Sequence, residues 1–167
     1  MIVIDTSVVI AALAGHEASR QVITEARLVA PHHIDVEVAH AVVGLLRGGK
    51  LGEDAAQGVI SAWRRLAVDR VAIAPLLPRV WELRENLTSS DAAFVAAAEA
   101  NGIPLVTADR RLATAAGPRC AIHLVLALTG SARYEAAWAP GQCHPVSNDP
   151  KGPPWRPPSA QARPRVS

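Results

Sequence analysis

The apolar positions of the chain form short continuous runs that alternate with longer stretches of helical spacing. Such runs are typical of strands buried on both faces of a parallel sheet, and the stretches between them predict connecting helices. The predicted strands span residues 2–4, 28–30, 71–74, 103–107 and 121–125, and the predicted helices span 7–13, 17–27, 33–47, 53–66, 76–87, 88–101 and 109–115. This alternation predicts a three-layer α/β/α domain with a central parallel sheet of about five strands.

The end of the chain has a different composition. Eight of the 13 prolines follow Gly130, and no periodic apolar pattern accompanies them. We therefore predict a folded domain over residues 1–128 and a disordered, Pro-rich tail over 129–167. Trp138 and Trp155 would suit a docking segment, but the abrupt change in composition favours an extension without function.

The distribution of charge also changes at Gly130, although the whole chain has a net charge of only +2. Residues 1–130 hold 12 Lys and Arg against 13 Asp and Glu, a net charge of −1, whereas residues 131–167 hold five basic and two acidic residues, a net charge of +3. The basic isoelectric point therefore comes from the tail. The charge of the domain itself gives no support for a nucleic-acid partner.

The cysteines and the first residues of the chain bear on its compartment. Cys120 and Cys143 are too few for a disulfide framework, and Met1 leads directly into a predicted strand without a basic leader segment. No apolar run is long enough to cross a bilayer. These features predict a cytoplasmic protein without a membrane anchor.

Four carboxylates fall at one edge of the predicted sheet. Asp5 ends the first strand, Glu37 and Asp91 lie in the first turns of two crossover helices, and Asp109 follows the fourth strand. Helix N-termini and strand C-termini share this edge because crossover helices run antiparallel to the strands. Asp5 taken alone is most simply a helix N-cap, and first-turn acids also suit the helix dipole. Helix capping does not explain why four acids recur at the same edge.

Carboxylates this close together repel one another unless a cation binds between them. Oxygen ligands with positions left for water select Mg²⁺, with Mn²⁺ able to substitute, over zinc. Asp35 is the nearest rival acid, but an offset of two residues on a helix should turn it away from Glu37. His32, His33 and His40 are predicted to be surface or core positions rather than metal ligands.

Several segments of the chain resemble the PIN-domain ribonucleases, and specifically the VapC-type toxins of prokaryotic toxin–antitoxin pairs. The resemblance covers about residues 1–125 and is carried by I-D-T-S at the N-terminus, by H-I-D-V-E-V, and most specifically by D-A-A-F-V-A-A-A-E-A-N-G-I-P-L-V-T-A-D. On this resemblance Asp5, Glu37, Asp91 and Asp109 are the acidic metal-binding residues. Ser7 and Thr107 fall on small hydroxyl positions near the site.

The resemblance implies an endoribonuclease that hydrolyses RNA phosphodiester bonds with a Mg²⁺ ion. It also implies a small antitoxin protein as partner and a homodimeric toxin. Arg110 and Arg111 follow Asp109 and are candidates for contacts to substrate phosphates, although an exposed Arg pair is more often simply solvated.

Two other classes of protein are compatible with acids at this edge. A PIN-like module that has lost catalysis would serve only for binding. A receiver-type phosphoacceptor domain would also gather carboxylates and Mg²⁺ at the edge of a parallel sheet. A receiver normally has an acidic doublet after the first strand and a lysine after the last, whereas the only lysines of this chain are Lys50 and Lys151.

Overall fold

The computed structural model describes residues 1–125. The predicted boundary at residue 128 and the predicted tail over 129–167 lie outside the described residues. The strands are β1 (Ile2–Ile4), β2 (Leu28–Pro31), β3 (Val68–Val71), β4 (Leu105–Thr107) and β5 (Ile122–Leu124). The helices are α1 (Thr6–Leu13), α2 (Glu17–Glu25), α3 (Ile34–Arg47), α4 (Glu53–Arg65), α5 (Leu77–Glu82), α6 (Ser89–Asn101) and α7 (Arg110–Ala113).

The five strands form one parallel sheet in the order β3-β2-β1-β4-β5, with helices on both faces. The predicted three-layer α/β/α architecture is therefore confirmed. β1 lies at the centre, where Ile2, Val3 and Ile4 are buried, because a strand covered on both faces buries consecutive side chains rather than alternate ones. None of the helices within residues 1–125 combines the length and apolar content that a membrane crossing requires.

Helix α6 packs across β1 and β2 and is the most deeply buried helix of the domain. Every side chain from Ala92 to Ala98 is buried, so this helix has no solvent-facing stripe along that run. The alanines let the helix backbone approach the sheet closely, and Phe94 supplies the large apolar side chain. Burial of one such side chain contributes about 1.5–3 kcal/mol. The helix ends where predicted, at Gly102, whose φ of +62° suits glycine.

The prediction of the third strand was wrong by three residues. The apolar run 71–74 was predicted to be the strand, but β3 spans Val68–Val71, and a short 3₁₀ helix begins at Ala74. β3 is an edge strand, so Asp69 and Arg70 can lie within it with their side chains outside the core. The polar pair interrupts the apolar pattern that sequence analysis uses to find buried strands.

Asp35 joins three elements away from the predicted site. Its carboxylate accepts two hydrogen bonds from Arg70 of β3, both of 2.7 Å, and one of 2.8 Å from the indole of Trp63 in α4. These bonds, chiefly those from Arg70, lower the pKa of Asp35. As expected from its helical offset, Asp35 therefore points away from Glu37 and has a structural role.

Replacing Asp35 with Asn is expected to lower the free energy of unfolding by about 1 kcal/mol at neutral pH. The expected loss is modest because the Asp35 side chain is 43% exposed and solvent screens its ion pair with Arg70. The lowered pKa of Asp35 means that its contribution is present at neutral pH and is lost as the pH falls through that pKa. Thermal unfolding of both proteins over a pH series should show melting temperatures that converge in acid.

Asp69→Asn is the matched control, because Asp69 pairs with Arg27 at a more exposed position, where the two side chains are 54% and 74% exposed. This variant should melt within error of the parent protein. Equal losses in the two variants would show that the Asp35 cluster stabilises the domain no more than a surface ion pair does.

Candidate functional site

Asp5 follows β1 and lies buried at the carboxyl edge of the sheet, with 5% of its surface exposed. One carboxylate oxygen accepts hydrogen bonds from the Ser7 hydroxyl at 2.7 Å and from the backbone N–H of Val8 at 3.2 Å. The other accepts a hydrogen bond of 2.6 Å from the hydroxyl of Thr107. Asp5 is thus the N-cap of α1, and its carboxylate also links the ends of the neighbouring strands β1 and β4.

The electrostatics of Asp5 distinguish it from an ordinary helix cap. Burial raises the pKa of its carboxyl above 3.8, the two hydroxyl hydrogen bonds oppose this shift, and the nearby charge of Asp91 adds to it. Within residues 1–125, no lysine, arginine or histidine forms an ion pair with Asp5. A buried carboxylate held only by neutral donors favours either a proton or an added cation.

Ser7 and Thr107 link the end of β1 to the segment after β4. The Ser7 hydroxyl donates to Asp5 and accepts a hydrogen bond of 2.8 Å from the N–H of Ala108. The Thr107 hydroxyl likewise donates to Asp5 and accepts one of 2.9 Å from the N–H of Asp109. Both hydroxyls therefore fix the position of Asp109 relative to Asp5.

Glu37 reaches the same edge from the first turn of α3. One of its carboxylate oxygens accepts a hydrogen bond from the hydroxyl of Thr6, and the other accepts one from the hydroxyl of Ser90. Thr6 follows Asp5 in the chain, and Ser90 precedes Asp91. Glu37 is thereby connected to the two segments that carry these acids.

Asp91 lies in the first turn of α6. The hydroxyl of Thr88, the N-cap of this helix, accepts a hydrogen bond of 3.1 Å from the Asp91 N–H and donates one of 2.7 Å to the Asp91 carboxylate. Thr88 and Asp91 have the spacing of a capping box, but here the Asp91 carboxylate accepts its hydrogen bond from the Thr88 hydroxyl rather than from the Thr88 backbone N–H. The negative charge of Asp91 also raises the pKa of Asp5.

Asp109 is the N-cap of α7, and both of its carboxylate oxygens bind Arg111. They accept hydrogen bonds of 2.7 Å from the Arg111 N–H and 3.1 Å from its guanidinium, and the guanidinium bond is the main reason that the pKa of Asp109 is lowered. The Arg111 side chain is 91% exposed. Arg110 is also exposed, so both arginines lie where a polymer could reach them.

His33 adjoins these acids, although the sequence analysis did not place it in the site. Its Nε2 atom lies 3.8 Å from Glu37, its ring packs 4.8 Å from that of Phe94, and both ring nitrogens are buried. Burial lowers the pKa of His33, which outweighs the opposite effect of the Glu37 charge. The ring is therefore neutral at physiological pH and does not neutralise Glu37.

Comparisons with known proteins agree with this arrangement. The PIN domain family model matches residues 2–118. The chain belongs to the PIN-domain family. Ribonuclease VapC9 of Mycobacterium tuberculosis is 42% identical over 125 residues, which cover 75% of this chain and 98% of VapC9, so this PIN domain is of the VapC type.

Solved structures also resemble this PIN domain. PAE2754 from Pyrobaculum aerophilum has a TM-score of 0.59 and 26% identity, covering 74% of this chain and 83% of that chain. A toxin–antitoxin complex from Klebsiella pneumoniae has a TM-score of 0.50 and 19% identity, covering 68% and 92%, and shows the common fold. The resemblance on which the sequence analysis relied is therefore confirmed at the level of family and fold.

Hydrogen bonds link the segments that carry the four acids of this PIN domain, but the four carboxylates do not surround a single point. Within residues 1–125, no three His, Cys, Asp and Glu side chains are placed to hold a single metal ion. One reason is that both carboxylate oxygens of Asp109 are directed at Arg111. Coordination of one ion by all four acids would therefore require the Asp109 side chain to turn away from Arg111.

Thr6 and Ser90 were not among the site residues predicted from the sequence. Each is adjacent to a predicted acid, so a search for hydroxyl side chains beside the acids would have found them. It would not have revealed that both bind Glu37, because the contacts span 31 and 53 residues of the chain.

Replacing Asp5 with Asn is expected to raise the melting temperature of the protein in EDTA at neutral pH. The raised pKa means that the folded protein binds the Asp5 proton more tightly than the unfolded chain, so ionisation costs stability as the pH rises from 3.8 through the raised value. The gain from Asn should therefore be largest at neutral pH and absent in acid. Thermal unfolding over a pH series would measure it.

Asp54→Asn is a suitable control, since Asp54 is exposed in the first turn of α4. It should not show the same growing advantage with pH. A difference between Asp5→Asn and the parent protein that does not change with pH would contradict a raised pKa at Asp5.

Proposed function

We propose that this PIN domain is the endoribonuclease toxin of a type II toxin–antitoxin pair. It hydrolyses RNA phosphodiester bonds and acts in the cytoplasm, where its substrate is made. The observation that carries the proposal is the buried Asp5 carboxylate, which neutral donors hold near Asp91 at the carboxyl edge of the sheet. The chain around this site is 42% identical over 125 residues to a ribonuclease. Ligand sites in open parallel sheets lie at this edge.

The proposed cofactor is Mg²⁺, for which Mn²⁺ can substitute, and Asp5, Glu37, Asp91 and Asp109 are the proposed ligands. The donor set suits such an ion because it consists of carboxylate oxygens, and because Asp5 and Glu37 are oriented by hydroxyls that leave their charges intact. When bound, the ion would polarise the scissile phosphate and lower the pKa of an attacking water.

The residues of the chain have distinct roles in this proposal. Ser7 and Thr107 hold the Asp5 carboxylate in one orientation and fix the segment of Asp109 beside it. Arg110 and Arg111 are exposed next to Asp109 and would contact substrate phosphates, which position an RNA without reading its bases. Water is the nucleophile, so no side chain need form a covalent intermediate.

The strand order removes the receiver-type alternative. A receiver-like sheet has the order 2-1-3-4-5, in which the third strand lies next to the first. In this sheet β1 lies between β2 and β4, and β3 is at the edge. The inactive binding module is the remaining alternative, and an activity measurement distinguishes it from the proposed nuclease.

Replacing Asp91 with Asn is expected to abolish most RNA cleavage while leaving the fold intact. Asn keeps the shape of the side chain and is a comparable residue at a helix N-terminus, but it lacks the charge that a cation needs. The measurement is cleavage of labelled RNA with saturating Mn²⁺, and EDTA should stop cleavage by the parent protein. Asp5→Asn and Asp109→Asn should behave like Asp91→Asn.

Asp35→Asn is the control, because it removes a nearby charge that binds Arg70 instead. This variant should cleave RNA normally at a temperature where it is folded. Full activity of the Asp91→Asn protein would remove Asp91 from the site. An inactive parent protein would favour the binding module.

We further propose a small antitoxin as partner and a homodimer as the state of the free toxin. A structure with the same fold is a toxin–antitoxin complex, and α3 exposes aliphatic side chains seven residues apart, Val36 at 72% and Val43 at 41%. Exposed aliphatic residues on one helix face favour association. Light scattering of the purified chain should therefore give the mass of a dimer.

Co-expression with the product of a short neighbouring gene should change the elution volume and relieve growth inhibition. Val43→Asp should weaken self-association, whereas Leu77→Asp, at a position of α5 that is 53% exposed, tests whether any added surface charge has this effect. A monomeric chain whose growth effect and elution are unchanged by the neighbour would contradict both proposals.

A further inference from the structure

The most unusual contact in the domain is that of Glu37 with two hydroxyl groups from different helices. Thr6 at the start of α1 donates to one carboxylate oxygen, and Ser90 in the first turn of α6 donates to the other. The Glu37 side chain is 30% exposed, so it is neither a core residue nor a freely solvated one. A single carboxylate therefore ties together the N-terminal ends of α1, α3 and α6.

Two other carboxylates that connect distant elements, those of Asp35 and Glu99, do so through arginine. Asp35 binds Arg70, and Glu99, whose side chain is 13% exposed, binds Arg79. An arginine neutralises the acid that it orients. A hydroxyl orients a carboxylate without cancelling its charge, because it donates a hydrogen bond and carries no charge of its own.

The positions of the two donors matter as much as their chemistry. Thr6 adjoins Asp5 and Ser90 adjoins Asp91, so the hydrogen bonds set the Glu37 carboxylate between the backbone segments of two other acids. One donor on each oxygen fixes the rotation of the carboxylate as well as its position. With one donor removed, the carboxylate can turn about its terminal bond and swing towards solvent.

We infer that Thr6 and Ser90 are positioning residues, whose neutral hydroxyls hold Glu37 for a divalent cation without cancelling its negative charge. This inference rests on the proposed metal-dependent function and adds two residues to it. Neither residue needs to contact the cation or the RNA. Each acts through Glu37 alone, which makes the inference testable by a double-mutant cycle.

The experiment measures the affinity of the purified full chain for Mn²⁺ alone, by titration calorimetry in the absence of RNA. Ser90→Ala is expected to weaken Mn²⁺ binding about five- to tenfold, as expected for the loss of one hydrogen bond. Ser90→Thr retains a hydroxyl and should bind Mn²⁺ about as tightly as the parent protein. Ser89→Ala is the matched control, because Ser89 is the preceding residue of the same helix turn and is exposed.

Thr6 provides a second, independent pair of variants. Thr6→Val keeps the shape of the side chain and removes the hydroxyl, so it should weaken Mn²⁺ binding by a similar factor, whereas Thr6→Ser should not. If one variant fails to fold, the variants at the other position still decide the outcome. Cleavage at low Mn²⁺ should fall in parallel and recover in excess Mn²⁺.

The decisive comparison is made in a Glu37→Gln background. If Ser90 acts only through Glu37, then Ser90→Ala should cause no further loss of Mn²⁺ affinity once Glu37 is replaced. An undiminished second loss, unchanged Mn²⁺ affinity in both hydroxyl-deleted variants, or an equal loss in Ser89→Ala would overturn the inference. A parent protein that binds Mn²⁺ with the expected variant pattern but leaves RNA intact would contradict the proposed nuclease and not the positioning role.

Discussion

The buried carboxylate of Asp5 is the constraint on which the candidate site depends. It follows the central strand and caps the first turn of α1, so it cannot move to solvent without breaking the start of that helix. Its partners within the described residues are neutral hydroxyls and one backbone N–H. The fold therefore keeps a charge that costs stability in the metal-free protein, at the place where the proposed reaction needs that charge.

The sheet order explains how acids from distant parts of the chain reach Asp5. β1 is flanked by β2 and β4, so the residues that follow all three strands lie side by side. Helix α6 adds the remaining acid because its alanine-rich, fully buried run lets it cross β1 and β2 closely. The packing of α6 against the sheet thus determines the distance between Asp91 and Asp5, although none of the alanines in that packing is a proposed site residue.

Sequence patterns were sufficient for the architecture and for the location of the acids. Asp5 and Asp109 could be placed because they lie within two residues of strand ends, and Glu37 and Asp91 because they lie in the first turns of helices. The position of β3 could not, since Asp69 and Arg70 interrupt its apolar pattern at the sheet edge. The two hydroxyl contacts to Glu37 could not be predicted either, because residue spacing along the chain does not determine which side chains from distant segments come into contact.

The carboxylates near this edge differ in how firmly their charges are already neutralised. Asp35 accepts two guanidinium hydrogen bonds and one from an indole, so release of its charge would break a cluster that joins three elements. Asp109 also has an arginine partner, but Arg111 is two residues away in the chain and 91% exposed. Such a solvent-screened pair contributes little to stability. If Asp109 holds the proposed cation, Arg111 would be released from it at small cost, and its guanidinium would then be available for a substrate phosphate.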